Sequence, residues 1–171
     1  DTPENMEPLF ETILKYIPAP EGDPEAGTQV LISTIDYNEY VGRIGVGKVD
    51  NGKIAVNQEV MLMNHHDPSK KKKVKISKLY EFEGLNKVEV QEAGIGSIVA
   101  ISGIPEIHIG DTLCDVENPE PIPFQKISEP TIAMHFMVND SPLAGQEGKF
   151  VTSRHLRERL MRELNTDVSL R

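Results

Sequence analysis

The 171-residue sequence predicts a mainly β protein built around a small curved barrel, and two observations carry this prediction. From Tyr40 to Met63, apolar residues alternate at the period of a strand, and turn residues recur about every ten positions. Glycines also lie inside the predicted strands of this stretch, which favours a bent sheet over a flat one. The run Asp50-Asn51-Gly52 tolerates the positive φ of a tight turn and predicts a hairpin.

The same stretch contains an incomplete match to a phosphate-binding loop. Residues 47–53 fit the first seven positions of GxxxxGK[ST], but Ile54 replaces the hydroxyl residue that ligates Mg²⁺. The residues that follow alternate as in a strand, whereas a phosphate-binding loop leads into a helix. We therefore expect a hairpin here and no nucleotide site.

The first 20 residues predict a short helix. Asn5 is a suitable N-cap, and the apolar residues between Leu9 and Ile17 recur at helical spacing on one face. Pro18 and Pro20 end the helix, and residues 21–27 read as an exposed linker. Two placements stay open: the helix belongs to a preceding domain, or it docks on the end of the barrel.

The predicted barrel covers residues 28–115. Residues 97–102 (SIVAIS) form a nearly continuous apolar run, which is expected of the most buried strand, and residues 110–113 begin the last strand. Cys114, the only cysteine, is expected to be a small apolar residue at a strand end. A single cysteine excludes an internal disulfide and fits a reducing compartment.

A run of lysines is the strongest candidate for a binding surface. The candidate residues are Lys70, Lys71, Lys72, Lys73, Lys75 and Lys78. From residue 74 onward lysines alternate with Val74, Ile76 and Leu79, so one strand is expected to bury its apolar side and expose its lysines. Two interpretations stay open, a solvated face that protects a sheet edge from pairing and a patch that faces phosphate groups.

Histidines do not indicate a metal or catalytic site. His65 and His66 are adjacent, and adjacent residues of a strand point to opposite faces, which is poor ligand spacing. His108 is distant in sequence. His135 lies in an apolar run and is expected in the core or on a sheet face. We therefore predict no catalytic, cofactor or metal residue.

The carboxy-terminal part predicts a second unit. Residues 116–129 are rich in proline and read as a linker. Residues 131–138 (TIAMHFMV) predict a strand, a helix is expected from about Ser153, and a second strand begins at Val168. Strand, helix and strand over residues 130–171 form the first half of a split βαβ module.

Charge is unevenly distributed along this acidic chain. The formal net charge is −9, yet residues 70–87 contain seven lysines and only two glutamates. Such a distribution argues against general coating of nucleic acid and leaves room for one local phosphate-binding face. No apolar run approaches the length of a membrane span, and no signal peptide precedes the first helix.

Five segments together resemble the BipA/TypA family of translational GTPases, relatives of elongation factors Tu and G. The barrel segments are GRIGVGKVDNGKIAVNQEV (42–60) and EAGIGSIVAISGIPEIHIGDTL (92–113). Three others resemble this branch in particular: NMEPLFETILKYIPAP (5–20), EFEGLNKVEV (81–90) and PTIAMHFMVNDSPLAGQEGKFVTSRHLRERL (130–160). The resemblance implies a translation-factor-type closed β-barrel, known as domain II, followed by a truncated ferredoxin-like domain III. Residues 1–20 then correspond to the last helix of a preceding GTPase domain.

The resemblance also implies a function. The parent protein is expected to be a cytoplasmic, ribosome-stimulated GTPase that uses GTP and Mg²⁺ and is linked to ribosome assembly and stress adaptation. The chain itself contains no GTP-binding motif and is expected to be a non-catalytic ribosome-binding or positioning fragment without a cofactor. Its expected partners are ribosomal RNA and the missing GTPase and carboxy-terminal domains, with no membrane and no small-molecule substrate. A stand-alone nucleic-acid-binding β-barrel is the alternative, and an independent barrel enzyme lacks a recognisable catalytic constellation.

Overall fold

The computed structural model describes residues 5–126, 128, 130–146, 148–165, 167 and 170. Strands predominate among these residues, which confirms the mainly β prediction. The elements are α1 (Glu7–Tyr16), β1 (Gln29–Asn38), β2 (Gly42–Asn51), β3 (Ile54–Ala55), β4 (Glu59–Asn64), β5 (Asp67–Lys75), β6 (Lys78–Glu83), β7 (Asn86–Val90), β8 (Glu92–Ala93), β9 (Ile98–Ser102), β10 (Asp111–Cys114) and α2 (Ser153–Glu163). Neither helix is long and apolar enough to cross a membrane.

Eight of the strands form one antiparallel sheet in the order β5-β4-β10-β1-β2-β9-β6-β7. Its centre is β1, which pairs with β2 on one edge and with β10 on the other. The two short strands β3 and β8 pair only with each other. The last strand of the barrel region, β10, therefore lies in the middle of the sheet beside the first.

The expectation of a closed barrel is wrong at the level of strand pairing. The end strands β5 and β7 do not hydrogen-bond to each other, so the eight-stranded sheet stays open. The pair of β3 and β8 lies between the two ends, because the Val56 amide donates to the Gln91 carbonyl at 2.9 Å and the Asn57 amide donates to the Ile76 carbonyl at 2.9 Å. The β3–β8 ribbon is thus hydrogen-bonded to the segment that follows β5, and no direct β5–β7 ladder forms.

The prediction of a hairpin at residues 50–52 is also wrong: the chain turns there, but the two strands that flank the turn do not pair with each other. Gly52 has a φ of 63°, as its position in a tight turn requires, but β3 leaves the turn to pair with β8 and not with β2. Both edges of β2 are already occupied, one by β1 and the other by β9. The chain therefore turns away from the large sheet. Residues 47–51 nevertheless lie in a strand, as the rejection of a phosphate-binding loop required.

A single apolar core lies on the inner face of the sheet. Its members are fully or almost fully buried: Val30, Ile32, Ile35, Val49, Ile54, Val60, Leu62, Ile76, Leu79, Ala93, Val99, Ile101, Ile104, Ile107 and Leu113. Val99, Ala100 and Ile101 of β9 are inaccessible to solvent, but Ile98 of the same strand is exposed. All four residues of β10 are buried, so the prediction that residues 97–102 form the most buried strand is wrong. Burial of this order supplies about 25 cal/mol per Å² of apolar surface and is the main stabilising term.

Two segments predicted as linkers contact the sheet. In the first, the Asp23 amide donates to Asn51 Oδ1 at 2.9 Å. In the second, the Ile122 amide donates to Thr112 Oγ1 at 3.0 Å. Proline-rich composition indicates only that a segment forms no regular element, and it carries no information about docking. The division of the chain into five segments stays a prediction.

The amino-terminal helix is formed but makes no core contact. The Glu7 amide donates to Asn5 Oδ1 at 3.2 Å, so Asn5 lies where a capping side chain is useful, although the helix begins at Glu7 after Met6. No residue of α1 is buried, and Phe10 and Leu14 are largely exposed. The alternative that this helix docks on the end of the barrel is therefore wrong.

The carboxy-terminal unit is only partly as predicted. The helix predicted from about Ser153 is α2, and Thr152 caps it by accepting from the His155 amide at 3.4 Å. The predicted strand at residues 131–138 is wrong, because these residues are in neither of the sheets that the described residues form. His135 is accordingly exposed and not in a core or on a sheet face. The second predicted strand lies mostly outside the described residues.

Candidate nucleic-acid interface

The lysine run lies on an edge strand. β5 pairs with β4 alone, so its second edge carries no ladder within the described part of the sheet. The side chains of residues 70–73 are all exposed, and Lys75 is exposed as well. Both interpretations of the run remain compatible with this position, since an edge strand needs protection and an exposed strand offers charge.

The predicted single lysine strand is in fact two strands. β5 ends at Lys75, and β6 begins at Lys78 near the opposite end of the sheet. Ile76 and Ser77 form the corner, where the Ile76 amide donates to the Gln58 carbonyl and the Ser77 amide to the Ser102 carbonyl, both at 3.1 Å. Lys78 is therefore close to the run in sequence but belongs to another strand, and its ammonium group lies 3.2 Å from Glu89 of β7.

Ion pairs divide the six candidate lysines into two groups. Four have a carboxylate partner: Lys70 with Asp67 at 3.0 Å, Lys72 with Glu106 at 2.6 Å, Lys73 with Glu59 at 2.6 Å, and Lys78 with Glu89 at 3.2 Å. Lys71 and Lys75 form no salt bridge with any residue that the structure describes. The patch is thus less positive than its composition indicates, because four of its six lysines are held by carboxylates.

Alternation places neighbouring lysines on different faces of the strand. Lys72 lies opposite buried Leu62, on the same face as Val74, which lies opposite buried Val60. Lys73 lies on the other face, opposite Met61. The ammonium group of Lys72 therefore reaches the loop between β9 and β10, where Glu106 is, whereas Lys73 stays on the outer side of the sheet with Glu59.

A groove of about 620 Å³ lies beside β5. It is lined by the end of β4 (Leu62, Met63, Asn64), by Asp67 and Lys70–Lys72, by Glu106 and His108 from the loop before β10, and by Asp111. We refer to it as the β5 groove. Its apolar floor and charged walls are the combination that ligand sites of this size usually have.

Asp111 connects two parts of the groove wall by hydrogen bonds. This buried carboxylate accepts a hydrogen bond from Asn64 Nδ2 at 2.9 Å through Oδ1 and one from the His108 amide at 2.8 Å through Oδ2. Since Asn64 ends β4 and His108 lies in the loop before β10, the carboxylate ties these two parts of the groove wall together. His108 Nδ1 lies 3.7 Å from the same Oδ2 atom.

The electrostatics of the groove favour an imidazolium at His108. The side-chain hydrogen bond with Asp111 raises the pKa of His108 above its ordinary value of 6.5, against the opposing effects of burial and of the Arg43 charge. Lys72 has the corresponding effect on Glu106, because its hydrogen bond lowers the pKa of that carboxyl group. On the outer face, Lys73 lowers the pKa of Glu59 in the same way.

The remaining predicted residues lie outside this arrangement. Cys114 is buried at the end of β10, as expected, and burial raises the pKa of its thiol to about 11. His66 Nε2 lies 3.0 Å from the Phe124 carbonyl and thus contacts the second linker. Within the described residues, no three histidine, cysteine, aspartate or glutamate side chains are arranged to hold a metal ion.

Sequence reasoning missed four residues of the groove wall: Asn64, Glu106, His108 and Asp111. They lie up to 41 positions from Lys70, and no local pattern links them to the lysines. The spacing of His108 and Asp111, three residues apart at the start of a strand, was the one available signal. The arrangement offers charged and hydrogen-bonding groups on an apolar floor, which can bind an anionic ligand.

Comparison with known proteins gives the family. Residues 42–114 match the family described as elongation factor Tu domain 2. The chain is 50% identical over 171 residues to the "Large ribosomal subunit assembly factor BipA" of Synechocystis sp., with 100% of the chain and 28% of that protein covered. Proteins of the same name from Bacillus subtilis and Escherichia coli K12 are 48% identical over 98% of the chain and 43% identical over 100% of it.

The alignments cover nearly all of the chain but a small part of each relative. The chain spans 27–28% of the length of these curated proteins. Both comparisons include residues 42–114, which contain the strands β2 to β10 in chain order. The β5 groove lies within this segment. Residues 42–114 therefore belong to the elongation factor Tu domain 2 family, within a chain that corresponds along its length to one segment of the BipA proteins.

Proposed function

We propose that the chain is a ribosome-binding and positioning module that performs no catalysis itself and contacts ribosomal RNA through β5. The observation that carries this proposal is the exposed edge strand with Lys70–Lys73 and Lys75 on an otherwise acidic chain. The name of the relatives, large ribosomal subunit assembly factor, supports the ribosome as the partner. Lysine contacts to phosphate groups supply affinity without reading sequence, which suits a positioning module.

The ion pairs on β5 do not oppose this role. Exposed lysine–carboxylate pairs contribute little to stability because water screens them, so an RNA phosphate can replace Glu59, Asp67 or Glu106 at small cost. The carboxylates also keep the unbound edge from attracting other polyanions strongly. Lys71 and Lys75, which form no ion pair with described residues, need no exchange and are expected to contact phosphate first.

We assign GTP hydrolysis to a parent protein and not to residues 1–171. The relatives are more than three times as long as the matched segment, and the proposed GTPase domain with its GTP and Mg²⁺ lies outside that segment. The exposed apolar face of α1, with Phe10 and Leu14, is available to pack against such a domain. Ribosome association and the single buried thiol of Cys114 support a cytoplasmic location, and a role in stress adaptation remains an implication of the family resemblance.

A stand-alone nucleic-acid-binding module is the second candidate. It is favoured by Phe82, which is half-exposed on β6 with Lys87 Nζ 5.9 Å from its ring centroid. An aromatic ring beside a cation is a suitable stacking platform for an unpaired base. If the chain binds short RNA as tightly as ribosomes, the stand-alone module is supported. If it clearly prefers ribosomes or their subunits, the ribosome-binding module is supported.

Co-sedimentation with ribosomes and with separated subunits tests the proposal. Replacement of Lys70–Lys73 by glutamine is expected to weaken binding and to reduce the log–log salt slope by about one unit for each phosphate group that the variant no longer binds. The matched control replaces four exposed lysines elsewhere, Lys15, Lys48, Lys53 and Lys149, and so changes the net charge equally. Equal weakening by both variants, or by neither, contradicts a specific role for β5.

A further inference from the structure

The β5 groove is close to electrical balance when His108 is neutral. Its walls carry three lysines, Lys70–Lys72, and three carboxylates, those of Asp67, Glu106 and Asp111. Protonation of His108 therefore decides whether the groove has an excess of positive charge. Histidine is the side chain whose ordinary titration range includes physiological pH, so a single proton can change the groove from nearly neutral to positive.

Charged residues of β10, of β2 and of the loop before β10 lie close to His108. Asp111 at the start of β10 holds the ring and the backbone amide, and Arg43 of β2 donates to the Ile107 carbonyl at 3.4 Å next to it. Glu106, two residues earlier in the loop, is held by Lys72 of β5. Although these neighbours are close, 65% of the His108 side chain is exposed, so a ligand in the groove can reach the ring.

We propose that the β5 groove binds a phosphodiester group of RNA and that protonation of His108 strengthens this binding. This inference rests on the proposed ribosome-binding function and assigns a specific binding site and a regulating group within it. Lys72 provides the second cation, because it lies on the groove side of β5 and exchanges its contact with Glu106 for the phosphate. Lys73, on the outer face with Glu59, does not take part.

The direction of the pH effect follows from the charge pattern. Asp111 raises the pKa of His108 above 6.5, and a bound phosphate favours the imidazolium further. Affinity for RNA is therefore expected to increase as the pH falls through this range and to level off once His108 is fully protonated. One additional exposed charge contact corresponds to about a two- to fivefold change in affinity.

The test uses the 171-residue chain and a fluorescently labelled, unstructured RNA of about ten nucleotides, with affinity measured by anisotropy between about pH 5.5 and 8 at constant ionic strength. The wild type is expected to bind about two- to fivefold more tightly at the acidic end. His108→Gln should bind RNA at every pH as weakly as the wild type does at the alkaline end. His108→Arg should keep the tight affinity at every pH, since its charge does not titrate there.

Two controls separate His108 from the other histidines and the groove from the outer face. His135→Gln removes an exposed histidine far from the groove in sequence and should leave the pH profile unchanged. Lys72→Gln should weaken binding more than Lys73→Gln. In addition, a ¹H–¹⁵N NMR titration of the His108 imidazole should show a pKa that RNA raises, and inorganic phosphate in place of RNA should produce a smaller change in the same direction.

Failure of this inference can be distinguished from failure of the proposed function. If ribosomes and RNA bind but the His108 variants follow the wild-type pH profile, the groove is not regulated by His108, and only this inference is overturned. If neither ribosomes nor RNA bind at any pH, the proposed function fails as well. If Lys73→Gln is as damaging as Lys72→Gln, the phosphate lies along the outer face and not in the groove.

Discussion

The ring of Phe124 occupies the space directly above Gly110. A Cβ atom at Gly110 would lie 2.1 Å from two carbon atoms of this ring, and the φ of Gly110 is +86°. The same phenylalanine stacks edge-on against His66, with the ring centroids 4.8 Å apart. The linker after β10 is therefore held against the sheet at a position where only glycine leaves room.

Gly110→Ala is expected to lower the free energy of unfolding by about 2 kcal/mol or more. About 1–2 kcal/mol comes from the positive φ, and displacement of the Phe124 ring adds to it. Gly84→Ala is the matched control, because Gly84 also has a positive φ of +62° but nothing within 4 Å of its Cβ position. Urea denaturation of both variants measures the difference, and equal losses contradict the contact with Phe124.

Lys71 and Lys75 are expected to contribute more to RNA affinity than Lys70 and Lys73, which are ion-paired on β5. The double variant Lys71→Gln/Lys75→Gln removes two lysines that form no ion pair with a described residue, whereas Lys70→Gln/Lys73→Gln also frees Asp67 and Glu59. We expect removal of each lysine–phosphate pair to reduce the log–log salt slope by about 0.7–0.9. Filter binding over a range of salt concentrations compares the two doubles at equal net charge. If Lys70→Gln/Lys73→Gln loses more RNA affinity than Lys71→Gln/Lys75→Gln, the larger contribution of Lys71 and Lys75 is contradicted.

Asp111→Asn is expected to change both stability and its pH dependence. Loss of the carboxylate weakens the hydrogen bonds with Asn64 and His108 and costs about 1–3 kcal/mol. In the wild type the raised pKa of His108 contributes stability that is fully present below its ordinary value of 6.5 and is lost as the pH rises through the raised value. This contribution should disappear in Asp111→Asn.

Melting temperatures on both sides of the His108 titration measure this effect. Asn64→Ala is the control, because it removes one hydrogen bond to Asp111 but leaves the carboxylate and the histidine in place. The control should be less stable at every pH and should keep the wild-type pH dependence. An unchanged pH dependence in Asp111→Asn shows that the pair of His108 and Asp111 is not the cause.

Two isoleucines of β9 offer a test of the core. Ile101→Val should cost about 0.5–1.5 kcal/mol, because Ile101 is inaccessible to solvent and removal of a methylene leaves a cavity. Ile98→Val in the same strand should cost much less, since 57% of Ile98 is exposed. Chemical denaturation of both variants provides the comparison. Equal costs contradict the placement of Ile101 on the inner face.

Limited proteolysis should cut the carboxy-terminal region before the sheet. Trypsin is expected to cleave first after Lys126 and Lys149, which are exposed and lie outside any helix or strand. Lys48 is the internal control, because it lies in β2 between two paired strands and should be cut only after unfolding. Mass spectrometry of the early fragments tests this order, and early cleavage after Lys48 contradicts it.

Local patterns predicted the strands better than their partners. The alternation around Val30 and Ile32, the apolar run at 97–102 and the Gly110-Asp111 turn each indicate an element that the structure contains. The pairing of β3 with β8 was not predictable in the same way, because it depends on which edges of β2 are already taken. Residues 131–138 show the reverse case, an apolar run that forms no strand.

The sequence by itself determined that this chain is mainly β, which of its residues are apolar enough to form the core, and that its lysines are concentrated at 70–78. Only the tertiary structure decided what those lysines face. Lys72 meets Glu106 and Lys73 meets Glu59 because the sheet brings together residues that are far apart in the chain. Whether a charge is free or neutralised depends on distances of a few ångströms, which hydrophobic periodicity does not specify.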